Sequence, residues 1–391
     1  TWRQITNGIG AEDFTRALRA DPKRKGLLYA GTERGMYISF DDGSNWNKFQ
    51  LNLPIVPITD LAIKNDNLIA ATQGRSFWMI DDLTPMHQLT TSLVQEDVIL
   101  FKPQDSYRMG GGNGRTSKTE GTNHPGGVAI NYFIKEKDAK EPVSLQIYDS
   151  NDALIKTFST NPNKEKKEAK LTLENGNNIF YWDMMYPGAE KVKGMILWWA
   201  SLNGPMALPG NYKVTLTMGE TSKSQNFTIL KNPISETTLA DATAQFDFIN
   251  DINTKVTEIH KALKNVKKVR AQVTALQTSI KNKEKHSELL DYAASLLKEM
   301  TIIEETLYQT KSKSGQDPLN FPIRLNNKLA HLNSLTRIGS YAPTQQAIDF
   351  KNEINKEIDK ELSKLYDLFN NKVTVLNKKV KDSQIDLIQL D

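Results

Sequence analysis

Ser39, Asp41, Gly43 and Trp46 have the spacing of a tight hairpin that carries a carboxylate. Asp41 can accept backbone N–H bonds across such a turn, Gly43 can adopt a positive φ, and Trp46 can pack beneath it. The pattern allows two interpretations, a glycoside hydrolase site or a turn that stabilises the fold. A carboxylate occupied by local amides has a lowered pKa and is a poor general acid, so we predict the structural role.

A second set of residues in the same region has the types that a sialidase needs, since those enzymes use a tyrosine with an arginine cluster. Its members are Arg16, Arg19, Arg34 and Arg75 with Asp13, Glu33 and Tyr37. The alternative is that they are hairpin and surface charges. We predict the latter and assign catalysis to none of them.

Other residues that could hold a metal or a phosphate have the wrong spacing. The five histidines, none in an H-E-x-x-H pair, are His87, His124, His260, His286 and His331. The glycine-rich stretch 110–118 lacks the Gly-Lys-Ser/Thr ending of a phosphate loop, so a flexible loop is expected. The Asp pairs at 41–42 and 81–82 lack the alternating oxygen ligands of a calcium loop. We predict no catalytic residue, no metal site and no cofactor.

One helix carries a cluster of cations: Lys261, Lys264, Lys267, Lys268 and Arg270. They could form an anion-binding face for glycans, lipid headgroups or nucleic acid, or they could be an ordinary solvated helix face. Aromatic residues for base stacking are absent from the stretch 255–285 that contains these cations, and the sequence predicts no nucleic-acid partner.

Composition restricts the class of protein. The 391 residues correspond to two or three domains. The net charge of +4 does not argue for nucleic acid, and the absence of cysteine excludes disulfides and thiol catalysis. The mean hydropathy is −0.51, and because no apolar run approaches 18 residues, no membrane-spanning helix is expected.

Residues 1–97 are predicted to be the end of a β-propeller. The run Leu28–Thr32 recurs as Leu68–Thr72, and Gly35–Asp42 recurs in degenerate form as Arg75–Asp82. A strand-rich repeat of about 40–45 residues is typical of four-stranded propeller blades. Since two blades cannot close a ring of about four to eight, further blades are expected in the same or another chain.

The opening residues Thr1-Trp2-Arg3-Gln4-Ile5 match Asn45-Trp46-Asn47-Lys48-Phe49, which end the hairpin pattern of the first repeat. The opening segment therefore has the sequence of the last part of a blade. Because the chain starts at Thr1 rather than at a methionine, we expect that an N-terminal part is missing.

Residues 98–232 are predicted to form an immunoglobulin-like or fibronectin-like β-sandwich, because about seven short strands fall within about 130 residues. The candidate strands are 128–134, 143–148, 153–158, 179–183, 195–200, 211–217 and 225–230. On a strand, Trp198 and Trp199 would point to opposite faces. For the outward ring we favour packing between domains over sugar binding.

Residues 236–391 are predicted to form an antiparallel helical bundle. Apolar residues recur every three or four positions from Phe246 to Ile280, a helix of about 35 residues, and again from Leu289 to Leu307. A third stripe runs from Leu325 to Leu335, and Thr344 can cap a fourth helix whose apolar residues run from Ile348 to Val380. The apolar residues of each helix form a narrow face, which must pack against other helices to be buried.

These motifs together resemble one group of proteins. The hairpin pattern S-x-D-x-G-x-x-W is the Asp-box, and it is followed in order by Phe77–Pro85, Trp182–Ala189, Gly204–Tyr212 and Asp317–Pro322. The series, which covers nearly the whole chain, resembles large exported bacterial proteins with sortilin-like BNR propellers, often labelled glycosyl hydrolase. The resemblance implies a signal peptide and most of the propeller upstream of Thr1, and a periplasmic, outer-surface or secreted location.

Two functions are compatible with this organisation. We favour a non-catalytic binding or scaffold region of an exported, surface-associated protein that recognises protein or glycan partners, because a fold alone does not license an activity. The alternative is a sialidase-like glycoside hydrolase whose catalytic site lies in propeller blades upstream of residue 1.

Overall fold

The structure is a computed structural model that describes residues 1–112, 121, 123–136, 141–280 and 286–385. The chain forms two compact units. The first contains Thr1–Asp183 with Gly210–Leu230, and the second contains Met184–Pro209 with Lys231–Asp391. β-Sheets dominate the first unit and helices the second, so the architecture is mixed β and helical. The domain boundaries at 97/98 and 232/236 stay a prediction.

Two antiparallel sheets follow one another at the start of the first unit. The strands of the first sheet, in spatial order, are β1 (Thr15–Ala20), β2 (Leu28–Thr32), β3 (Gly35–Ser39) and β4 (Asn47–Lys48). Those of the second are β5 (Ile58–Lys64), β6 (Asn67–Thr72) and β7 (Phe77–Ile80). The repeated runs of the sequence are β2 and β6. The sheets share one core that includes Tyr29, Ile38, Leu61 and Leu68. Among the described residues these sheets do not close a ring, so a complete propeller is not shown.

The two repeats differ after their third strand. In the first, Gly43 has a φ of +79°, which lets the hairpin turn back into β4. The equivalent residue of the second repeat is Leu83, whose φ is −90°, and Pro85 follows in the first turn of the helix α1 (Thr84–Gln88). The second sheet therefore continues into a helix where the first continues into a strand.

The remainder of the first unit contains two further sheets. Their strands are β8 (Val98–Leu100), β9 (Ser106–Tyr107), β10 (Val128–Ile134), β11 (Val143–Tyr148), β12 (Leu154–Ser159), β13 (Ala169–Lys170), β14 (Gly176–Trp182), β15 (Gly210–Met218) and β16 (Thr221–Leu230). One sheet has the order β14-β10-β8 and the other β13-β12-β11-β15-β16-β9. Trp182 of the smaller sheet is fully buried against Tyr212 and Phe227 of the larger, with ring centroids 5.8 and 6.1 Å away. The two sheets therefore pack face to face.

The strand predicted at 195–200 is wrong. No strand lies between β14 and β15, and this segment belongs to the helical unit. Side-chain amides bond the backbone of this segment and of Asn203, just after it, in place of a neighbouring strand. Asn327 accepts from the Trp198 N–H at 2.6 Å and donates to the Trp198 carbonyl at 2.9 Å. Asn253 and Asn333 both donate to the Asn203 carbonyl, at 2.8 and 3.0 Å. These bonds satisfy the backbone groups that a strand ladder would otherwise need.

Because 195–200 is not a strand, the expectation that Trp198 and Trp199 point to opposite faces of one is also wrong. Their ring centroids are 6.1 Å apart, and Trp199, with a φ of +51°, is 74% exposed. A role for it in packing between domains stays a prediction.

The helical unit contains helices at each of the apolar repeats of the sequence. The helices are α2 (Leu239–Ile280), α3 (Ser287–Leu307), α4 (Leu325–Thr336), α5 (Gln345–Asp367) and α6 (Val373–Asp382). A π-helical turn, Leu368–Lys372, separates α5 from α6, where the sequence predicted one continuous helix. The helices share one apolar core that includes Val256, Met300, Leu329 and Ile358. Within the described ranges, no helix combines the length and apolar character needed to span a bilayer.

Candidate functional site

The first unit contains an open groove of about 740 Å³, here called the polar groove. Its lining comes from the loop after β1, the β5–β6 turn, α1, the segment between β8 and β9, and the ends of β9 and β16. The lining residues are Lys23, Asn65, Asp66, Thr84, His87, Gln88, Lys102, Pro103, Gln104, Asp105, Tyr107 and Leu230. Most of them are polar or charged, and the charged ones include both signs.

Local backbone geometry places two of these elements. Asn65 and Asp66 form the two-residue turn between β5 and β6 with φ of +51° and +63°, a conformation that Asn and Asp tolerate better than most residues. Gln88 at the end of α1 accepts from the Lys102 N–H at 2.8 Å and donates to the Lys102 carbonyl at 3.0 Å. The segment after β8 is thereby held against α1.

His87 joins the elements beneath the groove. Its Nε2 lies 2.9 Å from Oδ2 of the buried Asp21, which also accepts the backbone N–H groups of Lys23 and Arg24 at 2.8 and 3.0 Å. Burial acts to raise the pKa of the Asp21 carboxyl, but the bonds from His87 and the two amides outweigh it and hold this pKa below its usual value. Asp21 is therefore ionised at neutral pH and is a poor proton donor.

Asp66 is the second buried carboxylate of this cluster. It accepts the Lys23 ammonium at 2.6 Å and the Gln104 amide at 3.1 Å, and its Oδ1 is 4.0 Å from Nδ1 of His87. The imidazole thus lies between two carboxylates that are already bonded to other groups. These bonds connect the loop after β1, the β5–β6 turn, α1 and the segment after β8. Within this described cluster, no base is bonded to a serine, threonine or other nucleophile, as nucleophilic catalysis would require.

The outer part of the groove is available to a ligand. Lys102, Asp105 and Asn65 are exposed, and Tyr107 is 47% exposed. Within the described residues, the Lys102 ammonium and the Tyr107 ring make no side-chain bond to another group. Asp105 accepts the Thr228 N–H, at 3.2 Å. The groove therefore offers donors, acceptors and one aromatic face.

The predicted hairpin lies outside this groove. Asp41 accepts the backbone and side-chain N–H groups of Asn45 at 2.8 and 2.7 Å and the Ser39 hydroxyl at 2.9 Å. The bonds from Asn45 and Ser39 hold the pKa of Asp41 below its usual value. Trp46 is buried and donates its indole N–H to the Ile5 carbonyl at 2.8 Å. Each of these contacts supports the turn, and none prepares the carboxylate for proton transfer.

The sialidase-like set is joined in pairs. The Tyr37 hydroxyl donates to Asp13 at 2.6 Å, and this bond raises the pKa of Tyr37. Two further pairs are Arg16 with Glu33 and Arg19 with Asp60, the latter at 2.6 Å. Arg34 and Arg75 are exposed. Among the described residues, the Tyr37 hydroxyl bonds to Asp13 and to the Gly10 N–H and to none of the four arginines.

Two of the five cations of the predicted basic face, Lys264 and Arg270, are bonded to acidic side chains. Lys264 forms an ion pair with Glu190, and Arg270 donates to Thr301 at 3.0 Å and to Glu304 at 2.6 Å. The other three cations, Lys261, Lys267 and Lys268, are exposed on α2. A role for this face in binding anions stays a prediction.

Sequence reasoning did not single out the polar groove. Asp21, Asp66 and His87 are far apart in the sequence, and none belongs to a short motif. Across the ranges that the structure describes, no group of three or more histidine and acidic side chains could hold a metal ion. Residues 113–118 of the glycine-rich stretch lie outside the described residues.

Comparisons with known proteins give little further information. No protein-family model matches the chain, and no curated protein does. Two solved structures are similar in part, both titled as the extracellular domain of one B. thetaiotaomicron protein, given once as a one-component and once as a hybrid two-component system. The identity is 9% in both, with TM-scores of 0.16 and 0.17. The alignments cover 57% and 56% of this chain but only 26% and 25% of those chains. TM-scores this low do not establish a shared fold.

Proposed function

We propose that the chain is a non-catalytic recognition region of an exported, surface-associated protein and that it binds a glycan in the polar groove. The observation that carries this proposal is the lining of the groove. Its exposed part combines an aromatic face, Tyr107, with amide, carboxylate and ammonium groups from Asn65, Asp105 and Lys102. A sugar presents hydroxyl groups and a C–H face, which such a lining can bind by hydrogen bonds and by contact with the ring.

Charge balance favours a neutral glycan over an anion. The lysines of the lining, Lys23 and Lys102, are matched by the carboxylates Asp66 and Asp105. Lys23 is already paired with Asp66, which leaves Lys102 near one exposed carboxylate. A multiply charged ligand would find no excess of opposite charge in this groove.

The exported location rests on the sequence resemblance to sortilin-like BNR propeller proteins, of which the hairpin at Ser39–Trp46 would be an Asp-box. The geometry of that hairpin supports the assignment, because its carboxylate, glycine and tryptophan all serve the turn. The sialidase-like alternative places catalysis in further blades, and no pair of described residues favours it.

Binding of glycans by the full chain tests the proposal. The chain is screened against a panel of neutral and acidic oligosaccharides, and the affinity of the strongest ligand is measured by calorimetry. Tyr107→Ala removes the aromatic face, so we expect affinity to fall about tenfold, equivalent to about 1.4 kcal/mol. Tyr341→Ala is the matched control, since Tyr341 is 72% exposed and lies outside the groove.

Two results would overturn the proposal. One is the absence of any glycan that Tyr107→Ala weakens more than Tyr341→Ala. The other is release of fluorophore from sialosides or aryl glycosides by the purified chain, which would show turnover where we expect binding alone.

A further inference from the structure

Charge is segregated within the helical unit. α3 carries five acidic residues and one lysine, and α5 carries six acidic residues and four lysines. Three other segments have sequences without any acidic residue, namely 191–209, the part of α2 after Glu258, and α4. Their lysines and arginines, with the N-cap residue of α4, are Lys191, Lys193, Lys261, Lys264, Lys267, Lys268, Arg270, Arg324 and Lys328. Some elements of this unit are therefore basic and others acidic.

The three acid-free segments lie against one another. The carbonyl of Glu190, which directly precedes the first segment, lies 2.5 Å from Nδ1 of His260 on α2. The Asn326 amide of α4 lies 3.3 Å from Nε2 of the same histidine. The neighbouring Asn327 bonds the N–H and the carbonyl of Trp198, at 2.6 and 2.9 Å. The cations of the three segments are therefore brought to one region of the unit.

Most of these cations are left without an acidic partner. Among the described residues, Glu190 pairs with Lys264 and Glu304 pairs with Arg270. The other seven cations are exposed and form no ion pair with a described residue; we call them the cationic surface, and they are Lys191, Lys193, Lys261, Lys267, Lys268, Arg324 and Lys328. Like charges that are not neutralised repel one another, and a polyanion laid across them would relieve that repulsion.

The spread of the cationic surface suits a long polyanion better than a small anion. Lys261 and Lys268 are two turns apart on α2, about 10 Å along the helix axis. The remaining members lie on α2, on α4 and on the segment after Glu190. A small anion can contact one or two of these side chains, whereas a chain with a negative charge on each unit can contact several.

The apolar side chains of the three segments favour a glycan over the other polyanions. Trp199 is their one exposed aromatic ring, and Leu335 is their one other exposed large apolar side chain. A single-stranded nucleic acid binds by stacking successive bases on several aromatic rings. A lipid bilayer is bound by inserted apolar area as well as by charge. Acidic polysaccharides need neither, because their charged groups project from a hydrated chain.

We propose that the cationic surface binds an acidic polysaccharide, a linear glycan with a carboxylate or a sulfate on many of its sugars. This site lies in the helical unit and is separate from the polar groove, for which a neutral glycan is proposed. A single exposed ion pair contributes little, so the affinity depends on several lysines acting together. Salt screens exposed charges, and the affinity is therefore expected to fall steeply as salt is added.

Two triple variants of the full chain, with equal changes of charge, test the proposal. Lys193→Gln, Lys268→Gln and Lys328→Gln remove one cation from each acid-free segment. The control triple is Lys298→Gln, Lys356→Gln and Lys360→Gln, whose lysines are exposed on the acidic helices α3 and α5. Glutamine has a helix propensity close to that of lysine, and circular dichroism checks that both variants are folded.

Binding to heparin and to polygalacturonate is measured by calorimetry at low and at high salt. We expect the first triple to lower the affinity about tenfold and the control triple to change it less than about twofold. Equal losses in the two triples would overturn the proposal, as would a wild type that binds neither polysaccharide. So would tighter binding to phosphatidylglycerol vesicles or to single-stranded DNA. Tyr107→Ala should leave this binding unchanged, and a tenfold loss in that variant would place the polysaccharide in the polar groove instead.

Discussion

A single buried hydroxyl holds the hairpin that follows β3. Ser39 is fully buried, and its Oγ accepts the Gly43 N–H and donates to Asp41, both at 2.9 Å. Ser39→Ala leaves the Gly43 N–H buried without a partner, so we expect a loss of about 1–3 kcal/mol from the free energy of unfolding. Hydrogen exchange of the amides in β2 and β3 measures this loss.

A matched serine separates this effect from the substitution itself. Ser224 on β16 is exposed, and its Oγ is 2.9 Å from that of Thr215. Because water can replace this bond, Ser224→Ala is expected to change stability by less than about 0.5 kcal/mol. Equal losses in the two variants would show that the buried bond to Gly43 contributes nothing.

Residues that act through near neighbours could be found from the sequence, and those that act across the fold could not. The hairpin bonds of Asp41 all come from residues within four positions of it, so a short pattern contains the whole arrangement. His87 depends on Asp21, which is 66 positions away. Only the packing of α1 against the first sheet's loop brings these two side chains together, and no spacing in the sequence records that packing.

Elements with a strong local signal were also predictable, and the start of α5 is an example. Thr344 is the N-cap, and its hydroxyl accepts the Ala347 N–H at 3.2 Å, as the sequence predicted. Thr344→Ala removes this bond, and we expect a loss of about 1 kcal/mol of stability in the helical unit. The change in melting temperature, followed by circular dichroism at 222 nm, is the measurement.

The same substitution in a helix interior should not have this effect. Thr254 lies within α2, is exposed, and donates only to the Asn250 carbonyl at 2.9 Å. Alanine has the higher helix propensity, so Thr254→Ala is expected to be neutral or slightly stabilising. Destabilisation by both variants to the same degree would contradict the capping role of Thr344.

Elements whose form depends on distant partners were predicted less well. The residues at 195–200 are apolar enough for a strand, but Asn327 and the Tyr308 hydroxyl of the helical unit bond the backbone of this segment instead. The last long helix differs in one place, a π-helical turn, where the Tyr292 hydroxyl donates to the Lys372 carbonyl at 3.2 Å. In both places a contact comes from another part of the chain.

At the scale of the whole molecule, the two units are expected to respond differently to acid. In the first, the pKa of Asp21 is lowered by its bonds, so the stability that it contributes is present above the ordinary carboxyl range, near pH 4, and is lost only as the pH falls further. The helical unit instead buries a histidine, His260, whose surroundings oppose the charged form. The two units therefore lose stability in separate pH ranges.

The geometry around His260 sets the sign of that effect. Its Nδ1 lies 2.5 Å from the Glu190 carbonyl, which can only accept, so Nδ1 carries the proton, and Nε2 accepts from Asn326 at 3.3 Å. Burial lowers the pKa of His260, and the Lys264 cation adds to this, while the bond to Glu190 opposes it. Below about pH 6.5 the unfolded chain gains a proton that the folded unit does not, so stability is full above that pH and falls below it.

We therefore expect the helical unit to melt at a lower temperature at about pH 5.5 than at about pH 7.5, by roughly 2–4 °C for each kcal/mol lost. Hydrogen exchange resolved by peptide, corrected for intrinsic rates, should show weaker protection at the lower pH in α2 and α4 but not in β2 and β6. In His260→Gln, which cannot titrate, the pH dependence should be reduced even if the variant is less stable at both pH values. An unchanged pH dependence in this variant would show that another group causes the acid sensitivity.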